Sequence, residues 1–208
     1  MPKSFIFFKK YGTKRATNWH EFVLSRAIRG NLWHYSLMKM MVLPEYAIVV
    51  RNLERGMHPY RSFLPLFEQS PAAQRIESPA TQLGPLLESA RVCVKPRDGY
   101  CYVDVKIPAI ILSEDYYHAA NPLDLYLDLV HELTHLRQLA EGQNLWEHSI
   151  PYVDRPTEIE GYAVAVEEGM RLGMDEDEVI RHLSNPWLSN AEVARLRENI
   201  DRFLGARS

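Results

Sequence analysis

Leu125, Tyr126, Leu129, Leu133, Leu136 and Ala140 recur at helical spacing and lay one apolar stripe along a helix over 123–141. The same period predicts helices over 157–172 and about 189–204, and Ser189 followed by Glu192 supplies a capping box for the last. Upstream, Trp19, Phe22, Val23, Ala27 and Ile28 predict helix, and Trp33, Leu37, Met40 and Met41 continue it across 17–42, with a break at Gly30–Asn31 and an end at Pro44. The middle of the chain reads as β. Val92, Val94, Tyr100, Tyr102, Val103 and Val105 flank Pro96-Arg97-Asp98-Gly99, which predicts a hairpin, and Ala109-Ile110-Ile111-Leu112 adds a short apolar strand. Ser70-Pro71, Ser78-Pro79 and Gly84-Pro85 predict a loop or linker over Gln69–Pro85. A small sheet followed by a run of helices is an α+β arrangement.

Composition narrows the class. With 208 residues, 46% hydrophobic and 25% charged, the chain has the make-up of one globular domain. The expected division is a basic helical part over 1–68, a Pro/Ser-rich connection over 69–85 and a core over 86–208. No apolar run approaches the ~20 residues of a membrane span, and the Phe5–Phe8 patch is too short for a signal-peptide core, so the expectation is a cytoplasmic protein without a membrane span. Two cysteines, Cys93 and Cys101, give no disulfide framework; they could approach across the hairpin, and a reduced pair is expected. Charge is uneven: residues 1–66 hold 11 Lys/Arg against 3 Asp/Glu, and residues 67–208 hold 13 against 24. Mutual complementarity within one fold accounts for this. A nucleic-acid contact through Lys9, Lys10, Lys14 and Arg15, interleaved with Phe7, Phe8 and Tyr11, is the alternative.

The chemistry concentrates at Leu129-Val130-His131-Glu132-Leu133-Thr134-His135. Each helical residue turns about 100°, so His131 and His135 share a face one turn apart and their imidazoles can hold a single Zn2+. Glu132 projects aside, toward a water activated there and not toward the metal. The competing reading leaves both histidines on a solvated face, tied to Asp124 and Asp128. A catalytic zinc needs a third protein ligand. Thr157-Glu158-Ile159-Glu160-Gly161-Tyr162 offers two acids. Glu158 shares its face with Gly161, Tyr162, Ala165 and Gly169, small residues that let the helix press closely on a neighbour. Glu160 shares its face with Val164, Glu167 and Arg171, an i,i+4 ion pair that marks solvent, and with Thr157 as N-cap it can close a capping box. Glu158 is the favoured ligand and Glu160 the alternative.

His131-Glu132-x-x-His135 followed by a helix beginning Glu158-x-Glu160-Gly161 resembles the gluzincin branch of the zincin metallopeptidases. The resemblance covers about residues 90–172. It implies a compact zincin-like α+β domain with a small β-sheet, an active-site helix and a packed glutamate helix, framed by additional N- and C-terminal helices. It further implies zinc held by His131, His135 and Glu158, with Glu132 as general base for hydrolysis of a peptide or protein substrate. The last strand of the sheet, here Ala109–Leu112, would run along the substrate cleft. One position departs from the family: an aspartate four residues after the ligand glutamate often orients a histidine, and here that position is Tyr162. Orientation would then fall to Asp128 or a backbone carbonyl. Tyr162, Tyr152, His148 and Arg155 are the candidates for stabilising an oxyanion.

His20, His34, His58, His118 and His182 have no partner at ligand spacing and read as ordinary side chains. Asp175-Glu176-Asp177-Glu178 reads as a solvated, helix-starting acidic turn, with cation binding as the alternative, and the segment after 173 is placed to pack over a cleft. Two further functions stand beside the peptidase. One is a non-catalytic zincin-like binding or regulatory protein that touches nucleic acid; the other is a helical structural protein carrying an accidental motif.

Overall fold

The computed structural model describes residues 42–206; the helices expected over 17–42 and the basic cluster at 7–15 lie outside the described residues, apart from Val42. The described chain is α+β. Its strands are β1 (Gly56–Pro59), β2 (Arg91–Lys95), β3 (Cys101–Asp104) and β4 (Ala109–Ser113). Its α-helices are α1 (Pro71–Ile76), α2 (Leu83–Ser89), α3 (Glu114–Ala119), α4 (Pro122–Ala140), α5 (Pro156–Arg171), α6 (Glu176–Leu183) and α7 (Asn190–Gly205).

The sheet order is β1-β2-β4-β3, with β2 and β4 parallel and both outer pairs antiparallel. The Pro96–Gly99 segment therefore does not close a tight hairpin. It carries the chain past β4 to the far edge, and Ser113 ties it down by donating from N to the Tyr100 carbonyl at 2.8 Å and from Oγ to the Arg97 carbonyl at 2.8 Å. The hairpin lies one strand later, between β3 and β4. The reason is burial: all five residues of β4 are buried, as a continuous apolar run demands, whereas β3 has the mixed composition of an edge. Cys93 pairs in register with Ile111 and Cys101 with Leu112, so β4 separates the two cysteines, and both are free thiols.

The stretch 69–85 also departs from the loop expected there. Ser70 caps α1 by accepting from Ala72 N, Pro71 fills the first helical position, and α2 follows from Leu83. Residues 45–69 contribute 3-10 turns and β1, which ends on Pro59 at a sheet edge, where a missing N–H costs nothing. Tyr60, Phe63 and Phe67 bury their rings in the same core as Tyr117 and Tyr126.

The three long helices arise as the periodicity demands. Asn121 caps α4 by accepting from Leu123 N, with Pro122 at the first helical position. Ser189/Glu192 close a capping box on α7, and Asp175/Glu178 close another on α6, which gives the acidic run its helix-starting role. The stripe of α4 packs on the sheet; its opposite face, far from being solvated, is covered by α5. Close approach of the two helices depends on small residues. An added Cβ at Gly169 would stand 3.0 Å from Leu127 Cδ1, and one at Gly161 would stand 3.0 Å from His131 Cε1 and Nδ1 and 3.4 Å from His135 Cε1. Among the described residues, no helix is long and apolar enough to cross a membrane.

Candidate metal centre

The packing of α4 on α5 brings His131, His135 and Glu158 together, all buried, with one ligand atom from each inside a 4.8 Å radius of the others. Glu158 Oε2 lies 3.6 Å from His131 Nε2 and 3.5 Å from His135 Nε2. Those separations are the edges of a coordination tetrahedron: donors about 2.0–2.1 Å from a central ion stand about 3.4 Å from each other. They are also long for hydrogen bonds, and Glu158 Oε2 is a buried carboxylate oxygen without a hydrogen-bond partner. Two imidazole nitrogens and one carboxylate oxygen facing a common point form a candidate metal site whose donor set fits a divalent ion of borderline softness.

Glu160 is engaged elsewhere. Its Oε2 accepts from Gln138 Nε2 at 2.8 Å and pairs with Arg137 Nη2 at 2.7 Å. The capping box expected from Thr157 and Glu160 does not form, because α5 starts at Pro156 with Arg155 as N-cap, two residues before Thr157. Nor do Glu167 and Arg171 pair with each other. Glu167 meets Arg75 at 2.6 Å, and Arg171 clasps the buried Glu168, which also accepts from Tyr126. The face assigned to solvent is thus divided: Val164 is buried and Glu167 reaches α1, while Arg171 stays exposed.

Gln138 supplies the orientation left open by the sequence. Its amide nitrogen donates to the Thr157 carbonyl at 3.1 Å and to Glu160, which fixes the amide so that Oε1 accepts from His135 Nδ1 at 2.8 Å. That bond puts a proton on Nδ1, so that with an ion in place Nε2 would offer it a lone pair. The residue sits one helical turn after His135, an i,i+3 signal that was readable in the sequence. His131 is instead held by packing: its ring centroid lies 4.2 Å from that of Tyr162 and 4.4 Å from that of His135, with Gly161 against its edge. Asp128 turns away from both; its carboxylate accepts from the Tyr116 hydroxyl and faces His182 Nε2 at 3.8 Å. Replacing Gln138 by Leu is expected to weaken metal binding about 10–100-fold, the usual cost of losing the group that orients a ligand histidine. Competition with a chelating dye measures it, and unchanged affinity would show that packing alone orients the ring.

Electrostatics follow from burial and proximity. Burial alone raises the Glu158 carboxyl, but the two imidazoles outweigh it and hold the group well below the usual carboxylate range. Burial likewise works against charge on His135, and the Glu158 carboxylate overcomes it, pushing this imidazole up to about 9. Glu132 is different: burial dominates and, with the Glu158 and Asp128 carboxylates, raises its pKa against the pull of the two imidazoles. Glu132 Oε1 accepts from the Cys101 thiol at 3.6 Å, while Oε2 is buried without a partner. The thiol is pushed well above its ordinary value by burial and then by the Glu132 and Asp128 carboxylates, so it is a neutral S–H.

The oxyanion candidates separate. Tyr162 Oη is bonded to Tyr152 Oη at 2.9 Å and accepts from Asn185 Nδ2 at 2.8 Å. Tyr152 stands beside Glu158, and burial together with that carboxylate pushes its hydroxyl well up, leaving it a donor. Arg155 spends its guanidinium on the Ile150 carbonyl and the Tyr152 ring. His148 is exposed. The segment after 173, expected over a cleft, contributes residues 182–187 here, whose individual contacts the sequence does not show. His182 bonds Asp124 at 3.2 Å, Asn185 reaches Tyr162, and Trp187, half exposed, lies 6.4 Å from the rings of both Tyr100 and Tyr152. No local pattern signals this segment, because its partners lie tens of residues away.

The chain matches no protein-family model, no curated protein and no solved structure. The functional reading therefore rests on the geometry of the site.

Proposed function

We propose that the protein is a zinc-dependent metallopeptidase of zincin type, with His131, His135 and Glu158 as metal ligands and Glu132 as general base. The observation that carries this reading is the orphaned Glu158 Oε2, held 3.5–3.6 Å from two imidazole Nε2 atoms beside a second buried carboxylate of raised pKa. Zinc is favoured over harder ions because two of the three donors are imidazoles, and three protein ligands leave a fourth position open.

His131, His135 and Glu158 would hold the zinc ion, which would supply Lewis-acid polarisation of a substrate carbonyl and a lowered pKa for a bound water. Glu132 takes the proton of the attacking water on the partnerless Oε2 and returns it to the leaving amine. Gln138 keeps the His135 tautomer fixed throughout. Tyr152, a neutral donor beside Glu158, is the best placed of the four candidates to face developing negative charge.

The described sheet has two edge strands, β1 and β3. The expected cleft strand, Ala109–Leu112, is interior and paired on both sides. Among the described strands β3 is an edge, packed against α4, and an extended peptide would add there through backbone hydrogen bonds. Purified protein is expected to bind one zinc per chain and to generate new amino termini in a mixed peptide library, read by mass spectrometry. Stoichiometric zinc with every peptide intact would keep the site and remove the catalysis, leaving the non-catalytic binding protein.

A further inference from the structure

Cys101 lies on β3, two residues before Val103, so the two side chains share the face of the strand that packs on α4. Val103 fills the core, whereas Cys101 reaches Glu132 and donates to its Oε1 at 3.6 Å, an ordinary length for a sulfur donor. The other carboxylate oxygen has no partner. We propose that Cys101 is a positioning residue, whose thiol holds one oxygen of Glu132 and leaves the other free to take the proton of the attacking water. The assignment rests on the reading of Glu132 as the general base.

The choice of donor is what the chemistry asks for. An Arg or Lys here would pair with the carboxylate and hold it too acidic to accept a proton. A thiol is a weak donor: it fixes direction while withdrawing little charge. It comes, moreover, from the edge strand on which a substrate would lie, so the bond ties the base to the sheet as well as to its own helix. Sheet register sets the distance, because Cys101 pairs with Leu112 on the fully buried β4.

Infrared spectroscopy tests the contact without any substrate. The Cys101 S–H stretch, isolated as the band missing from Cys101→Ser, is expected to move to higher frequency in Glu132→Ala as the acceptor is lost; an unmoved band overturns the proposal. For turnover, Cys101→Ala is expected to lower kcat about 5–10-fold, the scale of one lost hydrogen bond, with KM and zinc content unchanged, and Cys101→Ser to recover most of it. Wild-type kcat in Cys101→Ala, where Glu132→Gln is inactive, overturns the positioning role alone. Turnover that survives Glu132→Gln removes the base itself and the proposal with it. The spectroscopic comparison keeps the question decidable if Cys101→Ala does not fold.

Discussion

Glu132→Gln is expected to cut peptide turnover about 10²–10⁴-fold while zinc content stays at the wild-type level. The size follows from what the amide keeps and what it loses. Gln has the shape of Glu, can still accept from the Cys101 thiol, and sits on the same buried turn of α4. It has no basic lone pair to take a proton, so the step that activates water loses its acceptor. Metal binding is spared because Glu132 is not among the three side chains that converge; those are His131, His135 and Glu158. Stability should hold or rise, since a buried carboxylate of raised pKa becomes a neutral group. Steady-state kinetics beside metal analysis read both quantities. Equal loss of zinc and activity would place Glu132 in the metal shell, and unchanged activity would remove it from the mechanism.

The parts of this site that were legible in the sequence are those set by one helix. His131, Glu132 and His135 share a turn, and periodicity places them without tertiary information. Glu158 was separable from Glu160 because Gly161, Ala165 and Gly169 mark a face that approaches another helix, and the structure puts His131 and His135 against Gly161. The reasoning about Glu160 failed for a related cause. A helix start depends on the residue before it, and Pro156 at the first position moves the cap to Arg155, which frees Glu160 to pair with Arg137 and Gln138. Sheet order was misread because a turn signal between two strands says that the chain reverses, not that the flanking strands pair. The buried apolar run of β4 was the better guide. Cys101, Asn185 and Trp187 reach the neighbourhood of the site only through register and packing across long stretches of chain, so nothing near them in sequence points there, whereas Tyr152 is legible because it stands just before the Glu158 helix.

Zinc is expected to stabilise the protein strongly, and Glu158→Gln to remove most of that gain. A ligand that binds only the folded chain contributes about 2.7 kcal/mol when free ligand exceeds Kd 100-fold, which for a chain of this size is roughly 5–10 °C in Tm. Without metal, the arrangement is self-compensating: Glu158 stands between two imidazoles and lifts one of them to about 9, so the cluster holds a proton where an ion would sit. Glu158→Gln breaks that compensation and deletes a charged ligand in one step, leaving two neutral donors. The zinc-dependent shift should therefore fall to within about 2 °C of zero under the same conditions, a loss of roughly 20–80-fold or more in affinity. Glu160→Gln offers the decisive contrast. It leaves the three converging donors in place and disturbs the Arg137 and Gln138 contacts behind His135, so its shift should lie between the two. If Glu160→Gln abolished the shift and Glu158→Gln preserved it, the third ligand would be the other acid and α5 would have to turn by about two residues to present it. If zinc moved the Tm of none of the three proteins, the convergence of His131, His135 and Glu158 would be a buried ion cluster that fastens α5 to α4, and the motif would be an accident of sequence.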